Sequence, residues 1–348
     1  MVGLKRRTRP LLGVDIGSTA VKVVELQRDR GEVRATTVLC AEVEPETVVD
    51  GQIVDAGAMA ATLAQLRKSG ASAKHVATAV GGHSVIVKKV TMPSLTDEEL
   101  ELRLQAEAEQ YIPFEMSEVN LDYQILDVDE NGSMEVLLVA VKREKVNNYT
   151  NACNLAGLSV RIMDHDPFAV QNCFEYNYRP DPKRTLALVN LGASVTNLNV
   201  IEGGRPQFTR DVAIAGQQFT EALQHELGLS FADAEAEKLA YQGGRDGRAA
   251  PVLQSVMETM QVEFRKTFDF FRAGGGRAVE EIYLSGGCAR LPGIADMLHD
   301  EFSVPVEVLN PFQRIAVSDR NDAANGVVAN GPRLAVAVGL ALRSFEDL

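Results

Sequence analysis

The chain has 348 residues, of which 45% are hydrophobic and 24% charged, with a formal net charge of −13. That length exceeds one ordinary core and predicts at least two lobes, and the acidic balance speaks against nucleic acid as a partner. Cys40, Cys153, Cys173 and Cys288 are scattered without a CxxC spacing, which predicts free thiols in a reducing compartment.

The start is basic, Lys5-Arg6-Arg7-Thr8-Arg9, but Asp15 falls within the apolar run that follows. A solvated terminus is therefore expected rather than an export leader, and the chain is expected to be cytoplasmic. No run reaches the roughly 20 apolar residues of a membrane helix. Leu12-Gly13-Val14-Asp15-Ile16-Gly17-Ser18-Thr19-Ala20-Val21-Lys22 reads as a strand, a tight turn and a second strand. Helical spacing follows at 58–69, where Met59, Leu63 and Leu66 share a face, and strands are predicted near 74–80 and 85–91. Thr96 with Glu99 three residues on is a capping box opening a helix that places Leu100, Leu104, Ala108 and Tyr111 on one stripe. Two alternating strands, 119–127 and 133–141, flank the hairpin signal Asn131-Gly132. A helix over 144–156 and a strand over 158–163 complete the order β-α-β-β-α-β, predicted as a compact insert with its own sheet.

Beyond a Pro-rich linker, Tyr178-Arg179-Pro180-Asp181-Pro182, the chain repeats itself. Leu188-Val189-Asn190-Leu191-Gly192-Ala193-Ser194-Val195-Thr196-Asn197 matches the first hairpin with the glycine in register. Each turn exposes backbone N–H groups and hydroxyls, the donors a phosphate needs, so two such hairpins facing each other would clamp a polyphosphate. Gly216 heads a helical region, with helical periodicity over 231–241 and 252–272. Leu284-Ser285-Gly286-Gly287-Cys288-Ala289-Arg290-Leu291-Pro292-Gly293 is a buried strand running into a Gly turn, the natural loop for a base. The closing stretch 333–345 is almost wholly apolar and predicts a helix packed inside the fold.

The chemistry these residues predict is nucleotide binding. Asp15 would orient Mg²⁺ through its waters, and Ser18, Thr19 and Lys22 would donate to phosphate oxygens beside Gly17. Asn190, Gly192, Ala193, Ser194 and Thr196 form the partner turn, with Gly216 beyond it. Asn190 is an amide and cannot supply a second negative charge for a metal, which implies weak hydrolysis. Glu237 is expected to accept from ribose hydroxyls, with Lys238, Gly286, Gly287 and Arg290 around the base. Asp166 is the candidate general base, and with Asp15 makes up the catalytic candidates. The five histidines form no metal or nucleophile cluster.

These motifs in this order resemble the actin-like ATPase superfamily. Phosphate-1 is 12–22, phosphate-2 is 188–196, the adenosine loop is 284–293, and the connecting helices are 166–174 and 333–345. The insert narrows the resemblance. Val90-Thr91-Met92-Pro93, Gln105-Ala106-Glu107-Ala108-Glu109-Gln110-Tyr111-Ile112-Pro113-Phe114, Glu118-Val119-Asn120-Leu121-Asp122-Tyr123 and Ala156-Gly157-Leu158 before Asp166-Pro167 are similar to the PilM family of type IV pilus assembly proteins. The resemblance implies an α/β, FtsA-like fold of two RNase-H-like lobes. The first lobe would span 1–90, 165–183 and 336–348, the insert 91–164, the second-lobe core 184–216 and 282–335, and a helical subdomain 217–281.

The function implied is an ATP- or ADP-binding, Mg²⁺-dependent scaffold at the inner face of the inner membrane, with weak or no ATPase activity. It would hold the cytoplasmic tail of a PilN-like membrane protein, with pilus motor ATPases and other platform proteins as further partners. The tail is expected between the insert and the first lobe, against Val87, Leu95, Leu100 and Leu104. FtsA-like chains continue into an amphipathic tail, whereas this sequence ends at Leu348, so membrane recruitment is expected through a partner. The alternatives are an FtsA-like division or filament-forming protein and a sugar-type kinase of the same superfamily.

Overall fold

The first lobe grows from a hairpin of β1 (Leu11–Ile16) and β2 (Ala20–Asp29), extended by β3 (Glu32–Glu42). The fold is that of a computed structural model describing residues 11–317 and 330–345. The basic stretch 5–9 and the lobe assignments for 1–10, 318–329 and 346–348 lie outside the described residues. A short ribbon of β4 (Val48–Val49) and β5 (Gln52–Ile53) leads to α1 (Ala56–Lys68). Asp55 starts that helix by accepting from the backbone N–H groups of Gly57 and Ala58, both at 2.9 Å. β6 (His75–Val80) then pairs in parallel with β1. β1 thus lies inside its sheet with a strand on each side, and five of its six residues are buried.

The insert contains β7 (Val85–Pro93), α2 (Asp97–Glu107), β8 (Val119–Val128) and β9 (Ser133–Lys142), followed by α3 (Arg143–Leu155) and β10 (Ser159–His165). The Thr96–Glu99 capping box is present, and Asp129 closes the hairpin turn by accepting from the N–H groups of Asn131 and Ser133. All six expected elements occur in order, but they do not share one sheet. β7, β9 and β8 form a three-stranded antiparallel sheet, whereas β10 pairs with β6 at the edge of the first-lobe sheet. Likewise Tyr149, Ala152 and Cys153 of α3 are buried with Val14, Met59 and Leu63. The assignment of 91–164 to the insert is therefore corrected, because α3 and β10 are first-lobe elements. A parallel neighbour requires a crossover, and the small sheet is carried within the β6–β10 crossover.

After α4 (Asp166–Tyr178) comes the second lobe: β11 (Thr185–Leu191), β12 (Thr196–Glu202), β13 (Arg205–Val212), α5 (Gly216–Leu227), α6 (Phe231–Ala240), α7 (Ala249–Ala273), β14 (Glu281–Ser285), α8 (Ile294–Phe302) and β15 (Val306–Val308). Its strand order, β13-β12-β11-β14-β15, repeats the first-lobe order β3-β2-β1-β6-β10. The sequence duplication is therefore a duplication of topology. β16 (Ala316–Val317), expected in the second lobe, instead pairs in parallel with β3 and extends the first-lobe sheet.

Between the lobes lie α4 and α9 (Ala335–Leu342), the latter buried along its whole length. Phe174 and Leu340 join first-lobe residues such as Val24 and second-lobe residues such as Leu188 in one apolar cluster. Backbones meet there without side chains between them. A Cβ on Gly339 would stand 1.7 Å from the carbonyl oxygen of Ala169. Because that oxygen is backbone, relief requires the helices to part. Gly339→Ala is expected to destabilise by about 2–3 kcal/mol, read as a lower urea midpoint with an unchanged slope.

Candidate functional site between two hairpin turns

The two repeated turns converge. The Ser194 hydroxyl lies 2.7 Å from Ser18 Oγ and donates to Gln217 Oε1 at 2.6 Å. Cross-strand pairing gives the hairpins one register, with Asp15 opposite Lys22 and Asn190 opposite Asn197. Lys22 Nζ donates to Asp15 Oδ2 at 3.0 Å. In the second copy Asn190 Nδ2 donates to Asn197 Oδ1 at 3.1 Å. Each turn therefore carries a paired polar couple at its base, ionic in one lobe and neutral in the other.

Gly17, Ser18, Gly192, Ala193 and Ser194 all keep some exposure at the turns, and Thr19 is exposed. Gly192 and Ala193 are held from behind, because their carbonyls accept from the N–H groups of Gly216 and Gln217 at 3.0 and 2.8 Å. Those first-turn donors of α5 fasten the turn to the helix. Thr196 differs from its expected role. It is fully buried, and its hydroxyl donates to the Ile214 carbonyl at 2.6 Å, so it fixes the hairpin rather than facing the cleft.

The floor of the cleft is acidic and contains residues that the motifs did not single out. Asp166 opens α4, and its carboxylate packs against Gly81. Burial, followed by the nearby charge of Asp15, pushes the Asp166 carboxyl up to about 7, with Lys145 opposing the rise. Asp211 on β13 accepts from the Gly82 N–H at 2.6 Å and from Asn197 Nδ2 at 2.8 Å. Lys145 is 1% exposed and donates to the Gly81 carbonyl. Burial lowers its pKa, while the charges of Asp166 and Asp211 pull it back. His165, also buried, has its pKa lowered by desolvation and lies 2.9 Å from the Val80 carbonyl through Nδ1. The signal for Lys145 was present in the sequence, since Lys145, Tyr149, Ala152 and Cys153 form the buried stripe of α3. Asp211 carries no such signal, because its partners lie on β12 and across the lobes.

At the end of β14, Gly286 adopts φ +91°, and a Cβ there would stand 2.2 Å from the Leu191 carbonyl oxygen. Gly286 thus clamps the loop after β14 onto β11 from within. Gly287 is the exposed member, with no atom within 4 Å of an added Cβ. Arg290 is exposed beyond it. Lys238 Nζ donates to the Gly216 carbonyl at 3.1 Å and pairs with Glu235 at 2.7 Å. Glu235 also accepts from Thr220 at 2.6 Å, so it braces α5 against α6. Glu237 is half-buried, with Arg248 3.7 Å away. Around the cleft, the mutual repulsion of Asp15 and Asp166 is one that a bound cation relieves, and Gly287 leaves room for a flat ring. The residues present therefore fit a magnesium nucleotide.

The partner residues divide. Leu100 and Leu104 are 0% and 2% exposed and seal the insert's own core with Val136 and Leu138, with Leu95 packed on its margin. They were expected to face a groove, but a two-layer unit this small needs that whole stripe to bury its sheet. Val87 does face open space. It lines a cavity of about 250 Å³ with Val85, Ile86, Thr209, Arg210 and Asp211, between the insert and the second lobe.

Two antiparallel-and-parallel sheets of one topology, joined through two buried helices with paired turns across a cleft, define the actin-like ATPase fold. MreB 5 of Spiroplasma citri, solved bound to AMPPNP, shares that fold at TM-score 0.50 and 14% identity, over 96% of this chain and 95% of its own. The sequence profile of type IV pilus assembly protein PilM matches residues 13–345, and the chain belongs to that family. A solved PilM-PilN type IV pilus biogenesis complex aligns at TM-score 0.88 and 30% identity, covering 97% of this chain and 99% of the other. The cell division protein FtsA of Streptococcus pneumoniae serotype 2 is 26% identical over 91% of this chain and 78% of its own length. No helix among the described residues is long and apolar enough to cross a membrane.

Asp166 yields a test of the cleft electrostatics. A carboxyl whose native pKa lies above its ordinary 3.8 makes the native state bind the extra proton. Its favourable contribution is complete below about pH 4 and is lost as the pH rises to about 7. Asp166→Asn is therefore expected to raise the melting temperature at pH 8 and to leave it nearly unchanged at pH 4. An equal shift at both values would show that Asp166 does not carry the raised pKa.

Proposed function

We propose that this chain is a nucleotide-binding scaffold of the type IV pilus assembly platform, at the inner face of the inner membrane. It would take ATP or ADP with Mg²⁺ between the hairpin turns. The observation that carries this reading is the convergence of the two repeated turns, Ser18 against Ser194, above an acidic floor. The turn N–H groups, Ser18, Thr19 and Ser194 would hold phosphate, Asp15 a magnesium ion through water, and Gly287 and Arg290 the base side. The metal would supply charge neutralisation for the phosphates when bound. Asn190 places an amide where a second carboxylate would add charge, and this reading makes turnover slow.

The partner reading rests on family membership and on the groove lined by Val87. β7 is the edge of the three-stranded sheet, and β13 is the edge of the second-lobe sheet. An extended tail of a PilN-like membrane protein would add to such an edge through its backbone and set apolar side chains against Val85 and Val87. Pilus motor ATPases and other platform proteins would be recruited to the same scaffold.

Titration calorimetry with MgADP is expected to show binding to the wild type. Gly286→Val should abolish it, by driving the loop off β11. A peptide of the cognate PilN-type tail is expected to bind in fluorescence anisotropy. Val87→Glu should weaken that binding by about tenfold or more, about the cost of burying a poorly paired polar group, with MgADP affinity unchanged. Tail binding unaffected by Val87→Glu would place the tail elsewhere.

A further inference from the structure

A line of hydrogen bonds crosses the cleft floor from one lobe to the other. Ser285 Oγ, at the end of β14, donates to Asn190 Oδ1 at 3.2 Å. Asn190 Nδ2 donates to Asn197 Oδ1 at 3.1 Å, and Asn197 Nδ2 donates to Asp211 Oδ1 at 2.8 Å. Asp211 Oδ2 accepts from the backbone N–H of Gly82 at 2.6 Å, which is the step between lobes. Next door, the Gly81 carbonyl accepts from Lys145, so the loop that receives the relay is pinned to α3 and the root of the insert.

The direction of this relay follows from chemistry. An ionised carboxylate only accepts, so Asn197 must turn its NH₂ towards Asp211. Its oxygen then faces Asn190, which must present its own NH₂ and leave its oxygen for the Ser285 hydroxyl. Ser285, Asn197 and Asn199 are among the buried polar side chains of this sheet, so a misdirected amide there has little water to fall back on. A bond to a charged group is roughly twice as strong as a neutral one, and such bonds reinforce one another in sequence.

We propose that Asp211 is a positioning residue that latches the second lobe onto Gly82 of the first, and that the amide at position 190 sets the polarity of the relay holding this latch. The relay runs through the protein's own atoms and does not depend on which ligand fills the cleft. Position 190 has a second consequence besides its effect on a metal. A carboxylate there would compete with Asp211 for the single NH₂ of Asn197. Whichever carboxylate lost would face a carbonyl oxygen, and the latch would weaken. Placing the charge at position 190 and an amide at position 211 reverses the two links through Asn197 and keeps the direction of the two end bonds. The transposed carboxylate would accept from Ser285 and Asn197, Asn197 would accept from the new amide, and that amide's oxygen would still accept from Gly82.

The test is charge transposition in the full chain without nucleotide, read by hydrogen exchange over residues 80–84 with mass spectrometry. Asn190→Asp is expected to speed exchange there by about tenfold, the size of ordinary coupling within one network. The double variant Asn190→Asp with Asp211→Asn is expected to return to within about threefold of wild type, because both members of the coupled pair have changed together. The urea midpoint should follow the same order, so a poorly folding single variant still gives a readable rescue. Unchanged exchange in Asn190→Asp overturns the latch, and a double variant no better protected than that single one overturns the relay.

Discussion

The contact of backbone on backbone between α4 and α9 is the constraint on which the cleft depends. Each lobe has a core of its own on one side of its sheet, and the two lobes share a third cluster on the other side. Leu188 and Tyr283 of the second lobe and Val24 and Ala77 of the first are buried in one cluster, with the two helices between them. A helix apolar on every side is stable only where every side is covered, and α9 has α4 on one flank and β1 on the other. That packing leaves little freedom of orientation, since Gly339 and Gly13 hold it to within the reach of a single methyl group. The angle between the lobes, and therefore the meeting of Ser18 with Ser194, follows from this seam.

Above the seam, the two hairpins show how duplication separates chemistry from scaffold. Strand order and register are the same in both copies, so position 15 corresponds to 190 and position 22 to 197. What differs is charge. The first copy carries an ion pair and the second a neutral amide pair. The carboxylates Asp15 and Asp166 approach from the first lobe and α4, while Asp211 arrives on β13. Lys145 and Lys22 are the cations that make this concentration of acid tolerable, since an unpaired buried carboxylate would otherwise neutralise itself.

The insert gains its position from the crossover that carries it. Its sheet is antiparallel and covered on one face by α2, while α3 and β10 anchor it in the first lobe. Contacts to the second lobe are polar and few in kind. Lys89 donates to Gln207 at 2.7 Å, and Arg205 pairs with Asp127 at 3.1 Å. Exposed pairs of this sort contribute little, so the insert is joined firmly at its root and lightly at its tip. The groove along β7 runs between those two kinds of attachment.

Much of this was legible in the sequence. The hairpin repeat, the capping box at Thr96, the Asn131-Gly132 turn and the buried helix near the end are local patterns, and each rests on interactions between residues close in the chain. The resemblance to PilM rested on motifs of the same kind. Tertiary structure decided what depends on contacts between distant segments. A strand looks the same whether it joins the insert's sheet or the lobe's, so β10 and β16 could not be placed from their own residues. Leu100 and Leu104 form a helical stripe that suits a groove or a core equally, and only the sheet of β7, β9 and β8 beneath them settles which it is. Thr196 reads as a donor for phosphate until the fold gives its hydroxyl the Ile214 carbonyl as acceptor. Asp211 has no local signature, because its partners are an amide on the neighbouring strand and a backbone N–H 129 residues away. Periodicity in the sequence reports which face of an element is buried, and only the assembled lobes determine what that face meets.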